Sequence, residues 1–128
     1  RRASSPKLLV LNTALMTASG SVKMKEAKQE PDQWGRWVES AVGSSLANGI
    51  IGKNIELFYW SSRNREVDFV LSRKNELVAI EVKSGRNRGN FPGVEAFSKE
   101  FKVKRKLLVG PQGIALDEFL LTRPEELF

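Results

Sequence analysis

Asp68, Glu81 and Lys83 are set out as an acid, twelve intervening residues, then Glu-Val-Lys. Two carboxylates supply hard oxygen ligands, the kind Mg²⁺ takes alongside water and substrate phosphate oxygens. An amine two residues beyond the second acid could hold an attacking water or offset charge on a transferring phosphate. The chemistry implied is metal-dependent cleavage of a phosphodiester. The chain has no His and no Cys, which removes imidazole general bases, Ser-His-Asp triads, histidine-metal nuclease sites, thiol catalysis and disulfides. Carboxylates, Lys, Tyr and hydroxyls remain.

The three residues sit on two neighbouring apolar runs, 66–71 and 77–83, rich in the β-branched and aromatic residues that favour strands. The polar stretch Arg73-Lys74-Asn75-Glu76 predicts a turn between them. Whether the loop is Lys74-Asn75 or all four residues, paired positions sum to the same number, and Asp68 falls opposite Glu81. Strict alternation then places Ala79, Glu81, Lys83, Asp68 and Val70 on one face. Opposed carboxylates with Cβ atoms roughly 4.5–5.5 Å apart destabilise a hairpin unless neutralised, and a divalent cation would neutralise them. The same residues also fit a solvated face of an amphipathic sheet, with Asp68 a cross-strand neighbour of Lys83. Against that, both acids are embedded in near-continuous apolar runs, the pattern of buried strands, and buried carboxylates need a partner or a metal.

Other elements must position this hairpin. Residues 7–11 predict a short strand, 12–18 a helical turn or two, and 19–32, small, polar and charged, a flexible insert. Asp32 is placed to cap a helix in which Trp34, Trp37, Val38, Ala41, Val42, Ser45 and Leu46 recur at helical spacing, ending near Asn48-Gly49. Its two Trp residues fit core anchors better than a stacking platform. Glu39 lies beside this stripe, at the edge of the core. Leu57-Phe58-Tyr59-Trp60 predicts a third strand, joined to the hairpin by a turn over 61–65. Residues 84–90 form a basic loop suited to phosphate contact and equally to plain connection. Pro92 can open a helix with Val94, Phe97 and Phe101 inward, before a strand over 106–109 and a closing helix over 114–121.

At 128 residues, with 41% hydrophobic and 28% charged, the chain can bury one compact core, so a single domain is expected. No stretch approaches the roughly 20 apolar residues of a membrane span, and a soluble, cytoplasmic protein without membrane partners is expected. The first residue is not Met, which suggests an excised piece of something longer. Of the net charge of +6, all is concentrated between Lys83 and Lys106, where Lys83, Arg86, Arg88, Lys99, Lys102, Lys104, Arg105 and Lys106 outnumber Glu95 and Glu100. Basic charge following an acidic hairpin suits a polyanion held beside a cation site, with Arg86, Arg88, Lys99, Lys102, Lys104 and Arg105 as DNA contacts; a solvated lysine face is the plainer reading.

A helix Glu, a strand Asp and Glu-x-Lys, in the order helix, three strands, helix, strand, resemble the PD-(D/E)XK nuclease superfamily. More closely, Ser5-Pro6-Lys7-Leu8, Trp34-Gly35-Arg36-Trp37-Val38-Glu39, Arg65-Glu66-Val67-Asp68-Phe69-Val70 and Ala79-Ile80-Glu81-Val82-Lys83-Ser84 resemble the C-terminal domain, of unknown function, of predicted prokaryotic AAA-type ATPases. The insert over 19–32 departs from that pattern. The resemblance implies an α/β, restriction-endonuclease-like three-layer core around a mixed sheet. It also implies a site of Glu39, Asp68, Glu81 and Lys83. There Asp68 and Glu81 would bind Mg²⁺ (or Mn²⁺), Glu39 would assist as a further ligand or through water, and Lys83 would position the nucleophile. The implied reaction is hydrolysis of DNA by metal-activated water, as an endodeoxyribonuclease. An ATPase module would lie elsewhere in the full-length protein, since no Gly-x4-Gly-Lys-Ser/Thr loop occurs here. The alternative is a non-catalytic module that binds DNA or a partner on the same fold. Self-association is compatible with either.

Overall fold

The computed structural model describes residues 7–10, 31–83 and 92–128. The helical turn expected over 12–18, all but the end of the 19–32 insert, and the loop bearing Arg86 and Arg88 lie outside them. Along the chain come β1 (Lys7–Val10), α1 (Pro31–Gly49), β2 (Glu56–Ser62), β3 (Arg65–Arg73), β4 (Glu76–Val82), α2 (Pro92–Glu100), β5 (Arg105–Val109), α3 (Leu116–Leu121) and a closing 3₁₀ turn, Pro124–Leu127. From α1 to β5 this is the expected order of helix, three strands, helix, strand. The first helix starts at Pro31, one residue before the Asp32 expected to cap it, because Pro is well suited to a first helical turn.

The five strands form one sheet in the order β1-β2-β3-β4-β5. The first three pairings are antiparallel and β4 with β5 is parallel; α2 provides the crossover that a parallel neighbour requires. Both central hairpins close through two residues with positive φ: Arg63 (49°) and Asn64 (63°), then Lys74 (49°) and Asn75 (66°). These are type I′ turns, whose twist matches that of the flanking strands. The turn expected over 61–65 therefore narrows to Arg63-Asn64, and β2 continues to Ser62.

Helices cover both faces, giving three layers. On one face Val38, Val42 and Leu46 of α1, with Phe119 of α3, pack on Leu57, Phe69, Leu71, Val78, Ile80, Val82 and Val109. On the other, Val94 and Phe97 of α2 pack on Trp60, Val67, Val70 and Ala79. Phe97 meets the Trp60 ring edge-on at 5.3 Å, a geometry that adds to simple burial. Gly93 allows this layer to close: a Cβ there would lie 1.8 Å from the Glu66 carbonyl oxygen.

Candidate active site

β3 carries one residue more than β2 between two fixed pairs. Phe58 faces Val70 and Trp60 faces Val67, so Asp68 and Phe69 together stand opposite Tyr59. This is a β-bulge, which bends a strand and re-aims its side chains. Val67 and Val70, three apart, consequently both lie on the α2 side, while Phe69 and Leu71 lie on the α1 side. The regular alternation expected for Asp68 with Val70 is broken here, and Asp68 reaches Glu39 of α1, to which it is hydrogen-bonded.

The β3–β4 register is the one expected: five pairs run from Arg73 with Glu76 to Phe69 with Ile80. The ladder ends there, one step short of Asp68 and Glu81. In place of backbone pairing, the Val82 N–H donates to Asp68 Oδ2 at 2.8 Å. Beyond Val82, the Lys83 N–H donates to the Val109 carbonyl at 2.9 Å, holding the end of β4 against β5. Gly110 is needed at that junction, since its φ is +151° and a Cβ would stand 2.1 Å from the Lys83 carbonyl oxygen.

Asp68 with Glu39, and Glu81 with Lys83, thus stand where β3 and β4 separate. Lys83 Nζ lies 3.1 Å from Glu81 Oε2, with the Glu81 side chain only 12% exposed. Glu81 Oε1 is buried with no hydrogen-bond partner. Burial pushes the Asp68 carboxyl up to about 8, helped by the hydrogen bond and charge of Glu39, while the Val82 N–H and Lys83 act the other way. Burial also pushes Glu81 up to about 7, with the Asp68 charge adding to it and Lys83 opposing it. Both shifts favour the protonated form of Asp68 and Glu81.

An orphaned buried carboxylate oxygen beside a second carboxylate fits a hard cation, and Asp68 and Glu81 are the residues that would hold one. Among the described residues no group of three or more potential ligands is gathered for a metal. Mg²⁺ commonly uses one or two carboxylates and fills its remaining positions with water and phosphate oxygens.

The basic residues are placed differently from the acids. Lys99, Lys102, Lys104, Arg105 and Lys106 are all exposed. Lys104 pairs with Glu76 at 3.0 Å, and Arg105 lies beside Val78 and donates to the Leu127 carbonyl at 3.3 Å. Lys104 and Arg105 therefore border the start of β4 and Lys106 lies beside Ala79, whereas Glu81 stands near the far end of the strand, roughly 15 Å from Glu76 at about 3.3 Å per residue.

Two features escaped the sequence reading. Tyr59, opposite the bulge, donates to Glu66, and burial first, then that bond, raises its hydroxyl to about 12. A cavity of about 250 Å³ also opens beside Lys83, lined by Trp34 and Val38 of α1, Leu116 of α3 and the turn Gly110, Pro111 and Gly113. Trp34 is only half-buried and stacks on Trp37, with ring centroids 5.3 Å apart and planes within 7°. It thus anchors the core with part of its surface and walls the cavity with another. The turn glycines just after β5 were the one local signal for it.

The architecture is that of a three-layer mixed α/β domain with a carboxylate-lysine cluster at the end of its central hairpin. Residues 34–117, well over half of the chain, match the model of the domain of unknown function DUF4143, and the chain belongs to that family. The chain is also similar to a UPF0102 protein from Prochlorococcus marinus (strain MIT 9303), 40% identical over 52 residues that cover 40% of this chain and 41% of the relative. The match thus spans about two fifths of the length of that curated relative. No solved structure matches the chain. Among the described residues no helix is long and apolar enough to cross a membrane.

Proposed function

We propose that this domain is a Mg²⁺- or Mn²⁺-dependent DNA phosphodiesterase of the PD-(D/E)XK kind, the nuclease module of a longer AAA-type ATPase. The observation that carries the reading is the buried, unpartnered Glu81 Oε1 beside Asp68, with the Lys83 ammonium on the other oxygen of the same carboxylate. A bound divalent cation would supply Lewis-acid polarisation of the phosphate and a water acidified toward neutrality. Asp68 and Glu81 would provide its protein oxygens, giving up the protons they hold in its absence. Glu39, hydrogen-bonded to Asp68, orients that carboxylate. Lys83 is 35% exposed, so its ammonium can turn from Glu81 toward a phosphate and offset charge developing there. The exposed Lys99, Lys102, Lys104 and Arg105 would hold flanking phosphates further along the nucleic acid, adding affinity without selecting sequence.

The test is incubation of linear, supercoiled and branched DNA with wild type and Asp68→Asn, in Mg²⁺, in Mn²⁺ and in chelator. Cleavage that requires metal and is lost in the variant is expected. Binding without cleavage under every condition would overturn the catalytic reading in favour of a DNA-docking module.

A further inference from the structure

Resting on the nuclease reading, we infer that the cavity beside Lys83 is a nucleobase slot, so that the site acts on DNA whose base next to the cut phosphate is unpaired. Lys83 pairs with Glu81 through its ammonium and is also one of the residues lining the cavity. A phosphate drawn to Lys83 therefore places its adjoining nucleotide at the mouth of the slot. The walls are apolar apart from that lysine, and one of them is an indole whose plane is set by the Trp37 ring stacked on it. A flat aromatic surface in an apolar cleft selects planar π systems, and base stacking of this kind tolerates any base. The volume of about 250 Å³ is below the roughly 300–1,000 Å³ of pockets for larger small molecules and suits a single ring system.

The turn that forms part of the lining is braced by backbone hydrogen bonds. The Gly113 N–H donates to the Gly110 carbonyl at 3.0 Å, the Gly110 N–H to Ile114 at 2.9 Å and the Ile114 N–H to Leu108 at 2.8 Å. A Cβ on Gly113 would stand 2.3 Å from the Leu108 carbonyl oxygen, so this turn is pressed against β5 and holds the slot open. A base within a duplex reaches such a slot only by leaving its stack, at a cost of a few kcal/mol that an unpaired base avoids. Lys83 at the mouth favours an anionic nucleotide over the apolar side chain of a partner protein, the other occupant such walls would take.

The experiment is single-turnover cleavage in Mg²⁺ of a blunt duplex, of the same duplex with splayed ends, and of single strands carrying one abasic nucleotide moved along the sequence. Unpaired DNA should be cut at least about 10-fold faster than the blunt duplex. An abasic nucleotide next to the cut should slow cleavage by about 5- to 150-fold, the range of stacking losses. Trp34→Ala should erase that abasic effect and Trp34→Phe should keep it. The abasic scan is read on the wild-type protein, so it decides the matter even where Trp34→Ala does not fold. Metal-dependent cleavage that ignores both pairing and the missing base would overturn the slot and leave the nuclease reading standing. Cleavage of unpaired DNA unaffected by a folded Trp34→Ala would assign the cavity to a partner's side chain instead. No cleavage of any DNA would overturn the nuclease reading and the slot with it.

Discussion

Replacing Asp68 by Asn keeps the size of the side chain and an oxygen to accept the Val82 N–H, but removes a carboxylate that burial and Glu39 hold up at about 8 against an ordinary value of 3.8. A carboxyl raised in the folded state contributes stability that is complete below its unfolded value and lost as pH climbs through its folded one. Between pH 5 and pH 7 the unfolded chain has released this proton and the folded chain has kept it. Each pH unit then costs about 1.4 kcal/mol, so a loss on the order of 3 kcal/mol accumulates over the window. Unfolding entropy of about 2.1 cal/mol/K per residue for a chain of this length converts that to a fall in Tm of about 10 °C. Glu81, raised to about 7, adds a smaller loss of the same sign, because it is more open to solvent and paired with Lys83. Thermal unfolding of wild type in chelator should therefore show Tm dropping from pH 5 to pH 7. In Asp68→Asn the drop should shrink to the few degrees that Glu81 contributes. A wild-type Tm that rises over this window, or an equal slope in the variant, would refute the burial argument for the site.

Because a cation must displace protons from Asp68 and Glu81, Mg²⁺ should raise Tm more at pH 8 than at pH 6, and should leave Asp68→Asn unmoved at both; equal shifts at the two pH values would place the cation elsewhere. Lys83→Ala should lower cleavage by about 10²-fold or more with circular dichroism unchanged, and full activity in that variant would remove Lys83 from the site. Reversing the charge of Lys102, Lys104 and Arg105 should weaken DNA binding and flatten its dependence on salt, by about 0.9 in log-log slope for each phosphate no longer neutralised. Breaking the exposed Lys104–Glu76 pair should cost under about 1 kcal/mol in stability, so an unchanged salt slope would move the DNA face elsewhere. Phe97→Ala, which empties the centre of the α2 layer, should destabilise by about 3–5 kcal/mol in denaturant unfolding, and a change under about 1 kcal/mol would mean that α2 does not hold its sheet face.

The hairpin and its register were legible from Phe69 to Ile80 because they depend on local quantities: β-branched runs, a polar turn and a side-chain period of two. The α1 stripe of Val38, Val42 and Leu46, and Val94 with Phe97 in α2, were legible for the same reason, a helical period written in apolar residues. The bulge at Asp68 and Phe69 was not, because it arises from pairing with Tyr59 on another strand, and nothing within β3 marks the extra residue. Nor could spacing show that Asp68 meets Glu39, about thirty residues earlier, or that Trp34, Lys83 and Leu116 wall one cavity. The sequence also sets the basic residues 99–106 directly after the acidic hairpin, yet the parallel pairing of β4 with β5 lays Arg105 beside Val78. The chain thus determined by itself which residues are acidic and that β3 pairs with β4 in the observed register. Only the packing of helix on sheet decided which acids meet, which carboxylate oxygen is left without a partner and where the positive charge lies, since each depends on segments far apart in the chain coming together.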